Sequence, residues 1–198
     1  MKPFCSGALS DVELIDKAQD GELSRSLINP FHFVQPVAPL VAARKAGRRI
    51  ELSEVLERIR IVESRCEVLL IEGAGGLLAP LGEGYSAADM IDALGCPVVV
   101  VARNKLGVIN HVLLTAEALR RARANGIKVV LMDAARTSLA TRTNQSVLAE
   151  ILNSIEILRL PYLGRSVTGG SKASLKRIEK KIEKTLARIA EMDTFHTL

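Results

Sequence analysis

Glu72 closes an unbroken apolar run, Val68-Leu69-Leu70-Ile71, and four small residues follow it, Gly73-Ala74-Gly75-Gly76. A carboxylate so placed can hold Mg²⁺, a hard cation that prefers oxygen ligands. The small residues let backbone amides approach an anion closely. This is how a nucleotide-dependent enzyme presents a metal-binding acid beside a phosphate-sized gap. The bland alternative, a strand-ending acid that caps a turn, stays open on these residues alone. Chains of this kind normally open with a strand and a G-x-x-x-x-G-K-[ST] loop. No such motif occurs in the 198 residues.

The elements that must position Glu72 are legible from the pattern. Strands are expected at Lys2–Cys5, Val68–Ile71, Pro97–Ala102, Val129–Met132 and Ile155–Leu158. Val68–Ile71 and Val98–Val101 lack polar alternation, as expected of strands covered on both faces. Helices are expected near Asp11–Asp20, Val37–Ala46, Ser53–Ser64, Ala87–Leu94, Gly107–Ala124 and Thr143–Asn153, with a last one from Lys172 to Glu191. Gly126 reads as the stop of the Gly107–Ala124 helix, and Ser53 (with Glu57 nearby) and Ser171 read as helix starts. Strand-then-helix repetition predicts a single α/β domain over 1–198, its sheet mostly parallel and its helices on both faces. Gly164–Ser171 reads as a mobile surface loop. Ligands of such sheets bind outside the carboxyl ends of the strands. Ser6, Glu72–Gly76, Arg103–Gly107, Asp133 and Pro161–Leu163 should therefore gather on one edge.

Composition narrows the class. Hydrophobic residues make up 48% and aromatics only 3%, so the core must be aliphatic. The net charge of +5 is modest, and its cluster from Lys172 to Arg188 reads as a solvated helix face rather than a nucleic-acid surface. Cys5, Cys66 and Cys96 lack metal-ligand spacing and read as buried free thiols of a reducing compartment. No segment has the length and apolarity of a membrane span, and the default location is cytoplasmic.

Four segments together resemble the ATP-dependent dethiobiotin synthetases: KPFCSG at 2–7, NPFHFVQPVAP at 29–39, IEGAGGLLAPL at 71–81 and NKLGVINHVLLTAEAL at 104–119. The resemblance implies a P-loop NTPase-like fold with its first strand and phosphate loop missing. It also implies the reaction: 7,8-diaminopelargonate, CO₂ and ATP give dethiobiotin in biotin biosynthesis, through a carbamate and its phosphorylated form. Lys2 matches the lysine that contacts carbamate and transferring phosphate, although the second residue of this chain, taken without the resemblance, reads rather as a frayed, solvated lysine. Ser6 matches a serine facing the substrate. Asp11 matches a second Mg²⁺ ligand beside Glu72, its bland reading being a helix cap after Ser10.

By the same resemblance Gly73, Ala74, Gly75 and Gly76 offer amides to the carbamate. Leu106, Gly107, Val108, Ile109 and Asn110 form a pocket for the substrate carboxylate at a helix N-terminus, reaching into a neighbouring subunit's site. A homodimer is implied. Glu72, Met132, Pro161, Tyr162 and Leu163 fall at nucleotide-binding positions. Two departures stand out. The phosphate loop has no counterpart, and Met132 stands where the family reads adenine with an Asn, whose paired donor and acceptor a thioether lacks.

A buried strand missing from a sheet interior is costly, so Met1 is expected to be an internal methionine of a longer natural protein. The readings weighed are therefore a biotin-pathway ligase, a non-catalytic relic that keeps the substrate pocket, and another member of the superfamily such as an amidoligase or partitioning ATPase. KLGVINH, at 105–111, argues against the third.

Overall fold

A computed structural model describes residues 1–164 and 172–191, part of the latter as backbone alone. The expected surface loop from 165 onward and the helix start at Ser171 lie outside the described residues. The chain folds as α/β with mostly parallel strand pairing, as expected, in two compact units, Met1–Leu94 and Gly95–Leu198.

In the first unit β1 (Phe4–Ser6) pairs in parallel with β2 (Phe31–Phe33), with Phe4 opposite Phe31. In the Phe-His-Phe stretch of β2, Phe31 and Phe33 are buried and His32 is exposed, the period-two signature of a half-buried strand. The Phe4 and Phe31 rings stack at 5.0 Å. Helix α1 (Ser10–Ala18) and the short α2 (Arg25–Ile28) connect the two strands. Pro39 opens α3 (Pro39–Lys45), a position where its missing N–H costs nothing.

Helix α4 (Leu52–Glu63) buries Val55, Ile59 and Val62, one stripe at helical spacing. The hairpin of β3 (Pro80–Gly82) and β4 (Tyr85–Ser86) turns at Gly84, and α5 (Ala87–Leu94) follows it. The core joins the Phe pair to Ile50, Val55, Ile59, Val62, Leu81 and Tyr85. The Tyr85 hydroxyl donates to the Ile50 carbonyl at 3.1 Å, and burial pushes its phenol far above the ordinary range. Gly82 lies so close to this contact that a Cβ there would come within 2.2 Å of the Tyr85 ring.

In the second unit β5 (Val98–Arg103), β6 (Ile127–Met132) and β7 (Glu156–Leu160) form a parallel sheet in that order. The register sets Arg103 beside Met132 and Met132 beside Leu160, so the three carboxyl ends align in one row. Helix α6 (Val108–Arg121) buries Val108, Val112, Ala116 and Leu119. Helix α7 (Leu139–Ile151) buries Leu148, and α8 (Lys172–Ala190) packs on β7. The core brings Val112 and Ala116 of α6 and Leu148 of α7 onto Val129 and Leu131 of β6.

Several expectations need correction. Val68–Ile71 is not a strand: the segment and the adjoining Glu72 share two hydrogen bonds with Met1, Met1 N to Leu70 O and Glu72 N to Met1 O, too few for a ladder. Nor is it covered on both faces, since Val68 is 53% and Leu70 78% exposed. Val101 of β5 is 60% exposed, so that strand is half-buried instead of sandwiched. Gly126 does not stop α6. The helix ends at Arg121, where Arg123 takes a left-handed conformation (φ 50°) and the Ala124 amide reaches back to Leu119 O. That is a Schellman-type closure.

Ser53 does not cap α4, which starts at Leu52 after Glu51 without a side-chain cap. Helix α7 starts four residues before the expected Thr143 because Ser138 and Thr141 cap each other reciprocally. Cys5 is buried, with its thiol donating to Ala8 O, but Cys66 is exposed just past the end of α4 and Cys96 is half-buried. No helix among the described residues is long and apolar enough to cross a membrane.

Candidate functional site

The first unit concentrates its chemistry around Lys2. Its backbone is fixed on both sides: Lys2 N donates to Ile28 O at 2.8 Å, and Lys2 O accepts from the buried Asn29 amide at 2.7 Å. A main chain held this tightly aims the side chain. Lys2 Nζ lies 3.0 Å from Asp11 Oδ2 and 2.5 Å from Glu72 Oε1. The lysine side chain is only 9% exposed, whereas the two carboxylates remain about half exposed at 49% and 54%. Burial disfavours the ammonium, but the hydrogen bonds and charges of Glu72 and Asp11 outweigh it and hold the Lys2 pKa above its ordinary value.

Asp11 sits in the first turn of α1, behind Leu9, which occupies the cap position. It is therefore not the helix cap of the bland reading. Glu72 is presented by the extended segment hydrogen-bonded to Met1. Two carboxylates from distant parts of the chain thus converge on one cation. This donor set fits a hard metal ion as well as an ammonium. Among the described residues no cluster of three or more His, Cys, Asp or Glu gathers, so a metal here would draw its remaining oxygens from ligand and water.

Beside the cluster, Gly73, Gly75 and Gly76 are exposed while Ala74 packs on the core. Gly75 takes φ 75°, a conformation only glycine adopts without strain. Nothing lies within 4 Å of a Cβ built on Gly73 or Gly76, which leaves their backbone open to a ligand. Ser6 ends β1 with its Oγ buried and without a hydrogen-bond partner among the described residues, as a group reserved for a ligand would be.

The second unit assembles a separate group at its sheet's carboxyl edge. Gly107, left-handed at φ 90°, precedes α6 and lets the chain turn from β5 into the helix. Leu106 is 85% exposed, Val108 is buried, Ile109 is half-buried and Asn110 is exposed. A groove of about 300 Å³ runs beside them, lined by Val100, Arg103, Lys105, Val108, His111 and Thr115 among others. Met132 is 42% exposed at the end of β6, and Pro161 and Leu163, both half-buried, follow β7 with the exposed Tyr162 between them.

Sequence reasoning missed what lies beneath this edge. Asn104 and Asn144 are almost fully buried, at 1% and 3% exposed. Asn104 donates to Asp133 at 2.7 Å and to Thr141 O at 2.8 Å, and it accepts from Asn144 at 2.8 Å. Asp133 in turn accepts from Arg159 at 2.7 Å. One signal was available: Thr141, Asn144 and Leu148 fall on one helical stripe, so a polar Asn144 stands where a core residue belongs.

A family model described as an AAA domain matches residues 1–164. The ATP-dependent dethiobiotin synthetase BioD of Anaeromyxobacter sp. (strain Fw109-5) is 35% identical over 188 residues, which are 92% of this chain and 84% of that protein. Its namesake in Anaeromyxobacter dehalogenans (strain 2CP-1) is 42% identical over 166 residues, 82% of this chain and 71% of the relative. That of Bacillus licheniformis is 37% identical over 153 residues, 74% of this chain and 65% of the relative. The family model spans Lys2, Asp11, Glu72 and Asn104, and the chain belongs to the ATP-dependent dethiobiotin synthetase family.

Proposed function

We propose that this chain closes the ureido ring of dethiobiotin from 7,8-diaminopelargonate and CO₂ at the expense of ATP. The observation that supports it most is the convergence of Lys2, Asp11 and Glu72 on one point beside an open glycine-rich turn. In the reaction one substrate amine adds to CO₂ and loses a proton, giving a carbamate. A carbamate oxygen takes the terminal phosphoryl group of ATP and ADP leaves. The second amine attacks the carbamoyl carbon, phosphate departs and a proton is lost.

Each residue has a role in this reading. The Lys2 ammonium, fixed by its locked backbone, stabilises negative charge on the carbamate and the transferring phosphoryl group. Asp11 and Glu72 would hold Mg²⁺, which when bound neutralises phosphate charge. Amides of Gly73–Gly76 and the Ser6 hydroxyl orient the carbamate. Leu106–Asn110 take the substrate carboxylate at the free amides of the α6 N-terminus, in a homodimer where this segment serves the neighbouring subunit. Met132, Pro161, Tyr162 and Leu163 border the nucleotide base, in the cytoplasm.

A second reading, a non-catalytic chain that keeps the substrate pocket, is favoured by one observation. The 198 residues hold no G-x-x-x-x-G-K-[ST] motif to clamp phosphates. Incubation with diaminopelargonate, bicarbonate, ATP and Mg²⁺, with dethiobiotin read by mass spectrometry, separates the two. The ligase reading expects product, slow for want of the clamp, that vanishes in Glu72→Gln. Calorimetric binding of diaminopelargonate with no product and no ATP binding would instead establish the second.

A further inference from the structure

We infer that Asn144 of α7 is a positioning residue for the substrate-carboxylate pocket, acting through Asn104 and the Lys105 carbonyl. The inference rests on the reading of Leu106–Asn110 as that pocket. The turn from Lys105 to Gly107 is exposed, so few contacts of its own fix its shape. Its geometry comes from below. One hydrogen of the Asn144 amide goes to Asn104 Oδ1 at 2.8 Å and the other to Lys105 O at 3.1 Å. Lys105 O also accepts from Val108 N at 3.2 Å, the first amide of α6.

Asn104 is itself fixed on every side. Both its amide hydrogens are used, on Asp133 and on Thr141 O, and its backbone N–H donates to Met132 O at 2.8 Å. Asp133 is held by Arg159 and by its own amide on Leu160 O. Every polar group of the two buried asparagines that is needed to hold the turn is therefore satisfied.

The consequence is specific. The Lys105 carbonyl belongs to the same peptide plane as the Leu106 N–H. While Asn144 holds the carbonyl down, the Leu106 amide points the opposite way, available to an anion at the helix start. Without Asn144 the plane keeps only the Val108 bond and rotates more freely, and a less fixed amide binds an anion at a larger ordering cost. The pocket's affinity for a carboxylate is thus set from α7, a helix that does not itself touch the ligand.

The test measures diaminopelargonate binding calorimetrically in wild type, Asn144→Ala and the near-isosteric, uncharged Asn144→Leu, the last filling the same volume to guard against a variant that does not fold. A control, Gln145→Ala, removes the neighbouring helix amide, whose bond runs to Ile157 O and not to the turn. Both Asn144 variants should bind about tenfold more weakly, a difference near 1.4 kcal/mol, and Gln145→Ala should not. The deficit should disappear for the same vicinal diamine carrying a methyl group in place of the carboxylate. Hydrogen exchange at Val108, whose amide bonds to Lys105 O, should quicken in the Asn144 variants alone.

Equal affinity for diaminopelargonate in wild type and Asn144→Leu overturns the inference. So does a deficit that persists with the methyl analogue. Should wild type bind no diaminopelargonate, the pocket assignment falls. The exchange rates still decide the role of Asn144: faster at Val108 upholds it and unchanged defeats it.

Discussion

The two units carry their polar clusters in opposite styles. Around Lys2 the groups are charged, the cation is buried, and the carboxylates reach into solvent. Around Asn104 the central pair is neutral, buried on all sides and closed on itself, with the one ion pair, Asp133–Arg159, at its rim. Charged groups with exposed faces can trade partners at small cost, because water takes up the slack. A buried amide network cannot, because each broken bond strands a desolvated donor or acceptor. The first arrangement suits a site whose occupants change during a reaction. The second suits a frame that must not.

This contrast can be broken in order of expected effect. The largest should be catalytic: Lys2→Met lowers whatever dethiobiotin turnover the chain supports by roughly 10²- to 10³-fold, measured by product formation. Stability should respond the other way round. Asn104→Leu removes the hub and leaves Asp133 and Asn144 without their partner, so urea unfolding should show a loss of about 2–3 kcal/mol. Glu72→Gln, at a half-exposed side chain, should cost no more than about 1 kcal/mol. Equal losses in the two variants would erase the distinction between the clusters.

A finer test concerns the cation. In the present arrangement the Lys2 ammonium lies where Asp11 and Glu72 converge, so a divalent ion and the lysine compete for the same carboxylates. Lys2→Met should therefore bind Mn²⁺, followed by electron paramagnetic resonance, about tenfold more tightly than wild type. Weaker binding would show that Asp11 and Glu72 do not act together on a metal.

The smallest effect is in alkaline solution. The folded state raises the Lys2 pKa above 10.5, so this group's contribution to stability is complete below that value and is lost as pH climbs through the raised one. The wild-type urea midpoint should fall more than that of Lys2→Met as the solution is taken above about pH 10.5. Near neutrality no such difference is expected.

The legibility of the fold tracks how local its causes are. Ala87–Leu94 is helical over the span its pattern indicates, and β5, β6 and β7 follow the apolar runs to within two residues at each end. Shorter elements escaped. The alternation at Phe31–Phe33 is only three residues long, and the Pro80–Ser86 hairpin carries its signal mainly in Gly84. Val68–Ile71 misled for a different reason. Four apolar residues in a row announce a covered strand, yet the cover must come from other chain segments, and among the described residues it does not.

The candidate site divides along the same line. Glu72 could be singled out because its apolar approach and glycine exit are adjacent in sequence. Lys2 and Asp11 stood out only through the resemblance of several segments taken together. Nothing near Asn104 or Asn144 in the chain announces their pairing, since they are forty residues apart and meet through β5 and α7.

What the sequence determined by itself were the alternation of strands and helices and the family. These depend on backbone preferences and on apolar periodicity, which act over a few residues. Tertiary structure alone decided that Lys2 is a buried ammonium shared by two carboxylates, and that the turn from Lys105 to Gly107 stands on buried asparagines. Burial and charge pairing arise only when distant segments exclude water together, and no window of sequence contains that event.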